Sequence, residues 1–527
     1  MKNDKKLDIL FVHPNAARKI YQALSQNFSA FEPPIWAAML AKFVRNKGYR
    51  TELLDCEVNR LSPTQSFDKI KELNPRIVCV VVYGQQPSAS TQNMVGAMAL
   101  MDLLKDTDIV RMYTGPHPSA LPRQTLQDDP DSFVIQGEGP KTLEEFLKID
   151  EVDDPNFLSK VPGLWYRNKE TGQIVGNAPA PLIEDLDAEL DMLPMEFLQM
   201  DKYRTANWHS WTNNFQTSPF ASIYTSLGCP FRCTFCMINA PFNNGDIKNN
   251  RFRNWSPSKI IEKFDQFAKL GIRNIKIADE MFVLKKNHFL DLCNLIIERK
   301  YEFNIWAYAR IDTVRKEFLG PLKKAGVNWL GLGIESANQA VRQEVTKGKF
   351  QEINIRMIVE NIAKEGISPT GNFIFGLPTD THESMQKTLD LALELPIDYG
   401  NFYCAMGYPG SELHRTFSKN KPEVLPENAG IGWIGYSQHA YEAFPLPTEH
   451  LTNGEIIKFR DEAFVKFFTH EPYLNRMVEK FGPVFRTEIS RMLSVKLKRK
   501  LLGDKNEESI DDYVGRISRS RSDLSLL

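Results

Sequence analysis

Between residues 7 and 147, apolar runs of strand length alternate with segments whose apolar residues recur at helical spacing. Leu7–Val12 reads as a strand. Pro34–Lys47 reads as a helix with Trp36, Met39, Leu40, Phe43 and Val44 at helical intervals. Arg50–Leu54 is a second strand. Arg76–Tyr83 is a nearly continuous β-branched run, as expected of a strand covered on both faces. Thr91–Lys105 reads as a helix, Ile109–Tyr113 and Ser132–Ile135 as strands, and Lys141–Leu147 as a helix. About five βα units in ~140 residues predict a doubly wound parallel sheet, whose ligands sit at the carboxyl ends of the strands. The loops expected there are Gly84–Ser90, Gly115–Ala120 and Gly137–Pro140, with glycines for close backbone approach and neutral hydrogen-bonding groups.

Residues 148–214 read as a connector rich in Asp, Pro and Asn, with a short strand pair near Gly163–Tyr166 and Gln173–Val175. The aromatic-rich stretch Trp208–Phe220 reads as packing or cavity lining. Alternation then resumes in longer units. Strands are expected at Ile223–Thr225, Ile272–Ala278, Asn304–Tyr308, Trp329–Gly333, Gly371–Phe375 and Tyr399–Tyr403. Helices are expected at Ser256–Leu270, Lys286–Lys300, Lys316–Ala325, Gln351–Gly366 and Thr381–Leu395. Six such units predict a partial (β/α)6 barrel over residues 215–409, with its chemistry at the strands' carboxyl ends. Residues 410–527 read as mostly helical, near Glu455–Phe468 and Tyr473–Lys480, with a charged end.

Composition narrows the partners. Of 527 residues 42% are hydrophobic, enough for sizeable cores, and a formal net charge of -1 points to neither nucleic acid nor an acidic membrane. The Lys496–Lys500 run reads as a solvated helix face, so nucleic acid is not an expected partner. No apolar run approaches the ~20 residues of a membrane span. The start shows no signal segment, so a cytoplasmic enzyme is the expectation.

Seven cysteines are present. Cys56, Cys79, Cys293 and Cys404 are scattered, whereas Cys229, Cys233 and Cys236 lie on one predicted loop directly after the first barrel strand. Soft thiolates are the ligands that iron–sulfur centres select. A structural zinc would ask for a fourth ligand and a second knuckle. A disulfide suits neither three clustered thiols nor a reducing compartment. Three thiolates on a four-iron cubane leave one iron open to a small molecule.

Other strand ends carry motifs. They are Ile277–Phe282 with Asp279 and Glu280, Trp306–Arg310, Gly331–Ser336 with Glu335, and Gly371–Pro378 with Ile374. Taken in order after the cysteines, they resemble the radical S-adenosylmethionine (SAM) enzymes. Residues 7–147, with Gly115–Pro122 and Gly137–Glu138–Gly139, resemble the cobalamin-binding domain that precedes the barrel in one large branch of that family. The resemblance implies a [4Fe-4S] cluster on Cys229, Cys233 and Cys236, with SAM chelated at the open iron. Phe235 and Ile374 would lie near the adenine, and Asp279 or Glu280 near the SAM ammonium. Arg310 would take the SAM carboxylate or a substrate anion, with Glu335 and Ser336 by the ribose and methionine. Cobalamin would lie against Gln85, Ser88, Gly115, His117, Ser119, Gly137 and Glu138. Asp380, in a stretch that departs from the family's Gly-Glu-Thr, is expected to cap the next helix. The Asp-x-His-x-x-Gly motif of other cobalamin proteins is absent, since neither His13 nor His117 has that context.

The implied activity is methyl transfer to a carbon lacking acidic protons, in a small organic substrate. A 5′-deoxyadenosyl radical would abstract hydrogen, cobalamin would carry the methyl group, and a flavodoxin or ferredoxin would supply electrons. Radical cyclisation, rearrangement or oxidation is an alternative on the same cofactors, and a non-catalytic redox sensor is another. A methylthiotransferase would need a second cluster, for which Cys56 and Cys79 are too few.

Overall fold

The structure, a computed structural model, describes residues 6–84, 90–149, 152, 154–243, 250–345 and 354–505. Two parallel sheets organise it. The first has seven strands: β1 (Leu7–His13), β2 (Thr51–Asp55), β3 (Pro75–Val81), β4 (Val110–Thr114), β5 (Phe133–Ile135), β6 (Leu164–Arg167) and β7 (Ile174–Gly176). Their order is β2-β1-β3-β4-β5-β6-β7. The first five are parallel, and β6 and β7 add on antiparallel. The strand pair expected in the connector therefore extends the first sheet. The chain reverses direction across the sheet between β1 and β3, which is the ligand-binding switch point of doubly wound folds.

β3 is buried along nearly its whole length, as its β-branched run requires. The helix Ile35–Asn46 packs on the neighbouring strands β1 and β2 with nine buried apolar residues. The helix Pro63–Leu73 is an addition to the sequence reading. Its signal was local: Ser62 and Gln65 form a reciprocal capping box, with Pro63 at the first helical position.

The second sheet has the order β8-β11-β12-β13-β14-β15, all parallel. It comprises β8 (Phe220–Ile223), β11 (Asn274–Ile277), β12 (Asn304–Arg310), β13 (Val327–Glu335), β14 (Ser368–Phe375) and β15 (Tyr399–Cys404). Among the described residues the sheet stays open between β15 and β8, a partial barrel. Two short strands, β9 (Ser226–Leu227) and β10 (Arg253–Asn254), pair antiparallel and bracket the cysteine loop. Helices at Pro257–Lys269, Lys286–Glu298, Lys316–Lys324, Ile355–Lys364 and His382–Glu394 pack outside. Ser256 caps the first of them by accepting from the Lys259 N–H.

Trp208 and Trp211 plug the amino end of this barrel. Trp208 packs on Trp306, Trp329 and Tyr399, and Trp211 on Trp329 and Phe485. The His209 ring lies 2.9 Å from the Asn304 carbonyl at the start of β12. These aromatics are core at the end opposite the chemistry.

The C-terminal region, with helices at Glu412–Asn420, Asn453–Phe468, Glu471–Phe481 and Val484–Leu493, ties the two sheets together. Ser437 Oγ donates to the Ile20 carbonyl at 2.9 Å, and Trp433 meets His117 edge-on at 4.6 Å. Arg460 donates to the Phe402 carbonyl at 2.8 Å. Arg499 is wholly buried and holds Asp461 and the Gln438 and Ala440 carbonyls together. A buried guanidinium with each of these partners satisfied rigidifies the wrap. Among the described residues no helix is long and apolar enough to cross a membrane.

Candidate active site

The cysteine loop leaves the carboxyl end of β8 through Gly228. That glycine takes φ +83°, and a Cβ on it would sit 2.1 Å from the Arg251 carbonyl oxygen. Only glycine passes there. Asn239 then clamps the first cysteine on both sides: the Cys229 N–H donates to its Oδ1 at 3.0 Å, and its Nδ2 donates to the Cys229 carbonyl at 2.9 Å. The Cys236 N–H donates to the Cys233 carbonyl at 3.0 Å, which folds the C-x2-C segment into a turn. Cys229 and Cys236 share one apolar cluster with Ile238, Met281, Phe231 and Leu284. Burial pushes the Cys229 thiol up to about 12 and lifts Cys236 well above the ordinary range.

Among the described residues, no three His, Cys, Asp or Glu side chains converge to hold a single metal ion. A cubane asks for a different arrangement, with each thiolate on its own iron. The donor set, three soft sulfurs on a glycine-led loop in a mostly apolar shell, suits that group. Coordination would displace the protons that burial now holds on the thiols.

Asp279, at the end of β11, is fully buried. It accepts from the Thr225 N–H at 2.6 Å, from the Ser226 hydroxyl at 2.6 Å and from the Thr225 hydroxyl. It thereby staples β11 to the start of the cysteine loop. Its neighbour Glu280 is different: Oε1 is buried with no hydrogen-bond partner among the described residues. Burial pushes its carboxyl up to about 7, with Lys276 opposing and Asp279 adding to the shift. Of the two acids, Glu280 is the one with a vacant acceptor.

Arg310 forms a fork with Asp312, Nε at 2.6 Å from Oδ1, and its guanidinium lies 3.9 Å over the Phe231 ring of the cysteine loop. Glu335 takes φ +67° at a register shift against β14, a left-handed conformation that L residues seldom adopt. Ser336 is buried beside the Thr388 hydroxyl, 3.2 Å away, and accepts from the Asn338 N–H. Phe235 packs against Ile374, Val341, Val345, Leu377 and Ala405, so the two residues assigned to adenine share one apolar surface.

Asp380 does not cap the helix at His382–Glu394. Thr381 does, in a box with Ser384, while Asp380 accepts from the Gly376 and Leu377 N–H groups. The acid lies one residue before the cap position and closes the preceding turn instead.

At the first sheet, Gln85 and Ser88 lie outside the described residues. Gly115 takes φ +119°, where a Cβ would lie 2.3 Å from the Val82 carbonyl oxygen. Ser119 Oγ accepts from the Gly137 N–H at 3.0 Å and so joins two of the expected loops. Glu138 accepts from the Ile183 N–H at 2.9 Å and pairs with Arg253 of β10, both side chains buried. It links the first sheet to the bracket of the cysteine loop.

His117 is wholly buried, with Nδ1 3.2 Å from the Thr91 hydroxyl and Nε2 without a partner among the described residues. Burial drives its pKa down to about 3, and His414 adds to the effect. From about pH 6.5 down to 5 the unfolded chain therefore binds a proton here that the native chain refuses, and stability falls as pH falls. His117→Gln is expected to flatten the slope of unfolding free energy against pH by about 1.4 kcal/mol per unit over that window. Urea unfolding at several pH values measures it, and an unchanged slope would contradict a neutral buried imidazole.

The two sheets meet at their carboxyl ends across a narrow cleft. One wall is His13, Val81, Tyr83 and Gly84 at the β1/β3 switch point, and the other is Ser222, Tyr224 and Ala278 of the barrel. His13 Nε2 lies 3.0 Å from Glu57, while its Nδ1 has no partner among the described residues. Lys276 bridges the walls, donating to both Glu32 oxygens at 2.9 Å. Tyr224 donates to the Tyr83 hydroxyl at 3.2 Å. The residues His13, Glu32, Glu57 and Lys276 were absent from the sequence-based site. They come from four separate segments, and no motif joins them. Thr114 Oγ1, His117 Nε2 and Thr142 Oγ1, without partners among the described residues, and the Gly115 passage make the first sheet's carboxyl edge fit a bulky polar ligand such as cobalamin.

Comparison with known proteins agrees with this geometry. Residues 21–147 match the B12 binding domain and residues 223–392 the Radical SAM superfamily. An uncharacterized methyltransferase of Pyrococcus horikoshii is 27% identical over 496 residues, 93% of this chain and 99% of that protein. The anaerobic magnesium-protoporphyrin IX monomethyl ester cyclase of Rubrivivax gelatinosus is 25% identical over 477 residues, 88% of this chain and 78% of that one. The radical SAM methyltransferase TsrM from Kitasatospora setae, solved with cobalamin and a [4Fe-4S] cluster, superposes with a TM-score of 0.61 at 17% identity, over 88% of this chain and 89% of that one. The chain is a radical SAM enzyme of the branch that carries a B12-binding domain ahead of its barrel.

Proposed function

We propose that the chain transfers a methyl group to an unactivated carbon of a small organic metabolite, using a [4Fe-4S] cluster, SAM and cobalamin. The observation that carries this reading is the meeting of two ligand-binding edges. The cysteine loop leaves the carboxyl end of β8, and the β1/β3 switch point of the first sheet faces the same barrel edge across the cleft. When bound, the cluster supplies one electron for reductive SAM cleavage, and cobalamin supplies a carrier for the methyl group.

The protein's part is position and exclusion. Cys229, Cys233 and Cys236 would hold the cluster, with Asn239 and Arg310 fixing the loop from either side. Glu280 would accept from the SAM ammonium through its vacant oxygen. Phe235 and Ile374 would pack against one face of the adenine. Thr114, His117 and Ser119 would line the cobalamin site. The C-terminal wrap, through Trp433 and Ser437, closes the first sheet against water. An external one-electron donor such as flavodoxin or ferredoxin completes the system.

Anaerobic reconstitution with iron, sulfide and hydroxocobalamin, then desalting and absorption spectroscopy, tests the cofactor set. About one corrinoid per chain beside a cluster band is expected. A cluster without corrinoid would count against methyl transfer. Product mass decides between the reactions, since methyl transfer adds ~14 Da and a cyclisation does not. The cyclase relative is the specific reason to keep that second reading.

A further inference from the structure

Among the described residues, the cleft at the β1/β3 switch point is lined by two carboxylates, Glu32 and Glu57, and one imidazole, His13, but by no lysine or arginine. Lys276 reaches the cleft's edge and is committed there to both Glu32 oxygens. Asp55, buried at the end of β2, adds a third acid whose charge acts on His13. Burial lifts the Glu32 carboxyl above its ordinary value even against Lys276, and it lifts Asp55 as well. Against burial, the bond to Glu57 and the charge of Asp55 raise the His13 imidazole. The field of this cleft therefore attracts positive charge. Residues 85–89, which follow Gly84 of the lining, are Gln, Gln, Pro, Ser and Ala and bring no charge to alter the balance.

Two buried polar atoms of the lining, His13 Nδ1 and Ser222 Oγ, have no partner among the described residues. His13 is 5% exposed and Ser222 fully buried. Glu57 sets the role of His13. Its carboxylate, 3.0 Å from Nε2, accepts that N–H, and Nδ1 of the neutral ring is left as an acceptor in need of a donor. Buried polar groups are ordinarily satisfied, so an unmet acceptor on a cleft wall points to a ligand. A bare metal ion suits the place poorly, because among the described residues no three His, Cys, Asp or Glu side chains converge on one point. The other walls are aromatic. Trp36 lies 6.0 Å from Tyr83 and nearly parallel to it, and Tyr224 stands on the barrel side. Aromatic rings beside carboxylates hold organic cations, whereas a carboxylate or phosphate here would meet like charge.

We infer that this cleft seats the ammonium group of a small organic amine, with an N–H donating to His13 Nδ1 and the charge balanced by Glu57 and Glu32. The inference rests on the methyl-transfer reading above and names its substrate class: an amine, not an acid or a phosphate ester. A bound ammonium supplies the positive charge that the cleft lacks, and the imidazole beside it stays neutral. Anchored here, the rest of the molecule occupies the space between the two sheet edges. The anchor supplies position rather than reactivity.

The test uses the full-length reconstituted enzyme and three probes of one size: n-butylamine, n-butanol and butyrate. Each is titrated at neutral pH, where the amine is cationic, and followed by ligand-observed nuclear magnetic resonance. Butylamine is expected to bind at least about tenfold more tightly than either of the others. Glu57→Gln is expected to weaken butylamine by about tenfold and to leave butanol within about twofold. The glutamine carbonyl can still accept from His13 Nε2, so the ring keeps its orientation. Butylamine binding that is absent, or no tighter than that of butanol or butyrate, overturns the amine site, and this comparison needs only the wild type. Undiminished butylamine binding by Glu57→Gln overturns it as well. Failure of the enzyme to retain corrinoid overturns methyl transfer instead and leaves the probe result standing, because binding is read without turnover.

Discussion

Replacing any one of Cys229, Cys233 or Cys236 by Ala abolishes reductive SAM cleavage and strips the cluster's absorption band. Each thiolate would serve its own iron, so no remaining sulfur could take over. Loss of a group merely behind a metal ligand costs ~10–100-fold in metal affinity, and loss of a ligand on a three-ligand cluster costs more, so activity falls by more than about 100-fold. The fold should survive. Cys233 and Cys236 are only half-buried, and the loop's anchors, Asn239, Gly228 and Arg310, stay in place. Iron content and far-ultraviolet circular dichroism of each variant separate the two effects. Full 5′-deoxyadenosine formation in a single variant would refute the assignment.

Glu138→Ala lowers stability by about 3–5 kcal/mol, the usual cost of removing one partner of a buried ion pair. The cost arises because Arg253 is left buried without its counter-charge, keeping only its bond to the Ile183 carbonyl and the Phe242 ring. Both side chains are almost fully enclosed, and burial lifts the Glu138 carboxyl above its ordinary value even with Arg253 beside it. The pair joins the first sheet to β10, which brackets the cysteine loop, so the variant also loosens that loop. Adding Arg253→Ala removes the orphaned charge and recovers part of the loss. Urea unfolding of the single and double variants measures both quantities. Corrinoid retention supplies the contrast: a Glu138 that served only as a ligand contact would lose corrinoid at unchanged stability.

Much of the fold was legible locally. β3 shows as a nearly continuous β-branched run and the helix at Pro257–Lys269 as a Ser-Pro start with apolar periodicity, because each signal lies within a few residues. The Pro63–Leu73 helix was missed, although its Ser62–Gln65 capping box was a local signal. Asp380 misled because sequence proximity does not tell a cap from the turn before it, a difference of one residue in φ/ψ.

The sequence by itself determined the donor set, three soft ligands whose chemistry is a property of the residues, and the two alternating βα patterns around it. Only the tertiary structure decided which acid is available. Asp279 and Glu280 are adjacent and chemically alike, yet Asp279 accepts three bonds from Thr225 and Ser226 while Glu280 Oε1 has no partner among the described residues. It likewise paired Glu138 with Arg253 and Arg310 with Asp312, and it brought His13, Glu32 and Glu57 to the cleft, with Lys276 bonded to Glu32. The physical reason is common to all of these. Hydrogen-bond saturation and burial depend on what the rest of the chain brings within about 3 Å, over separations such as the 244 residues between Glu32 and Lys276.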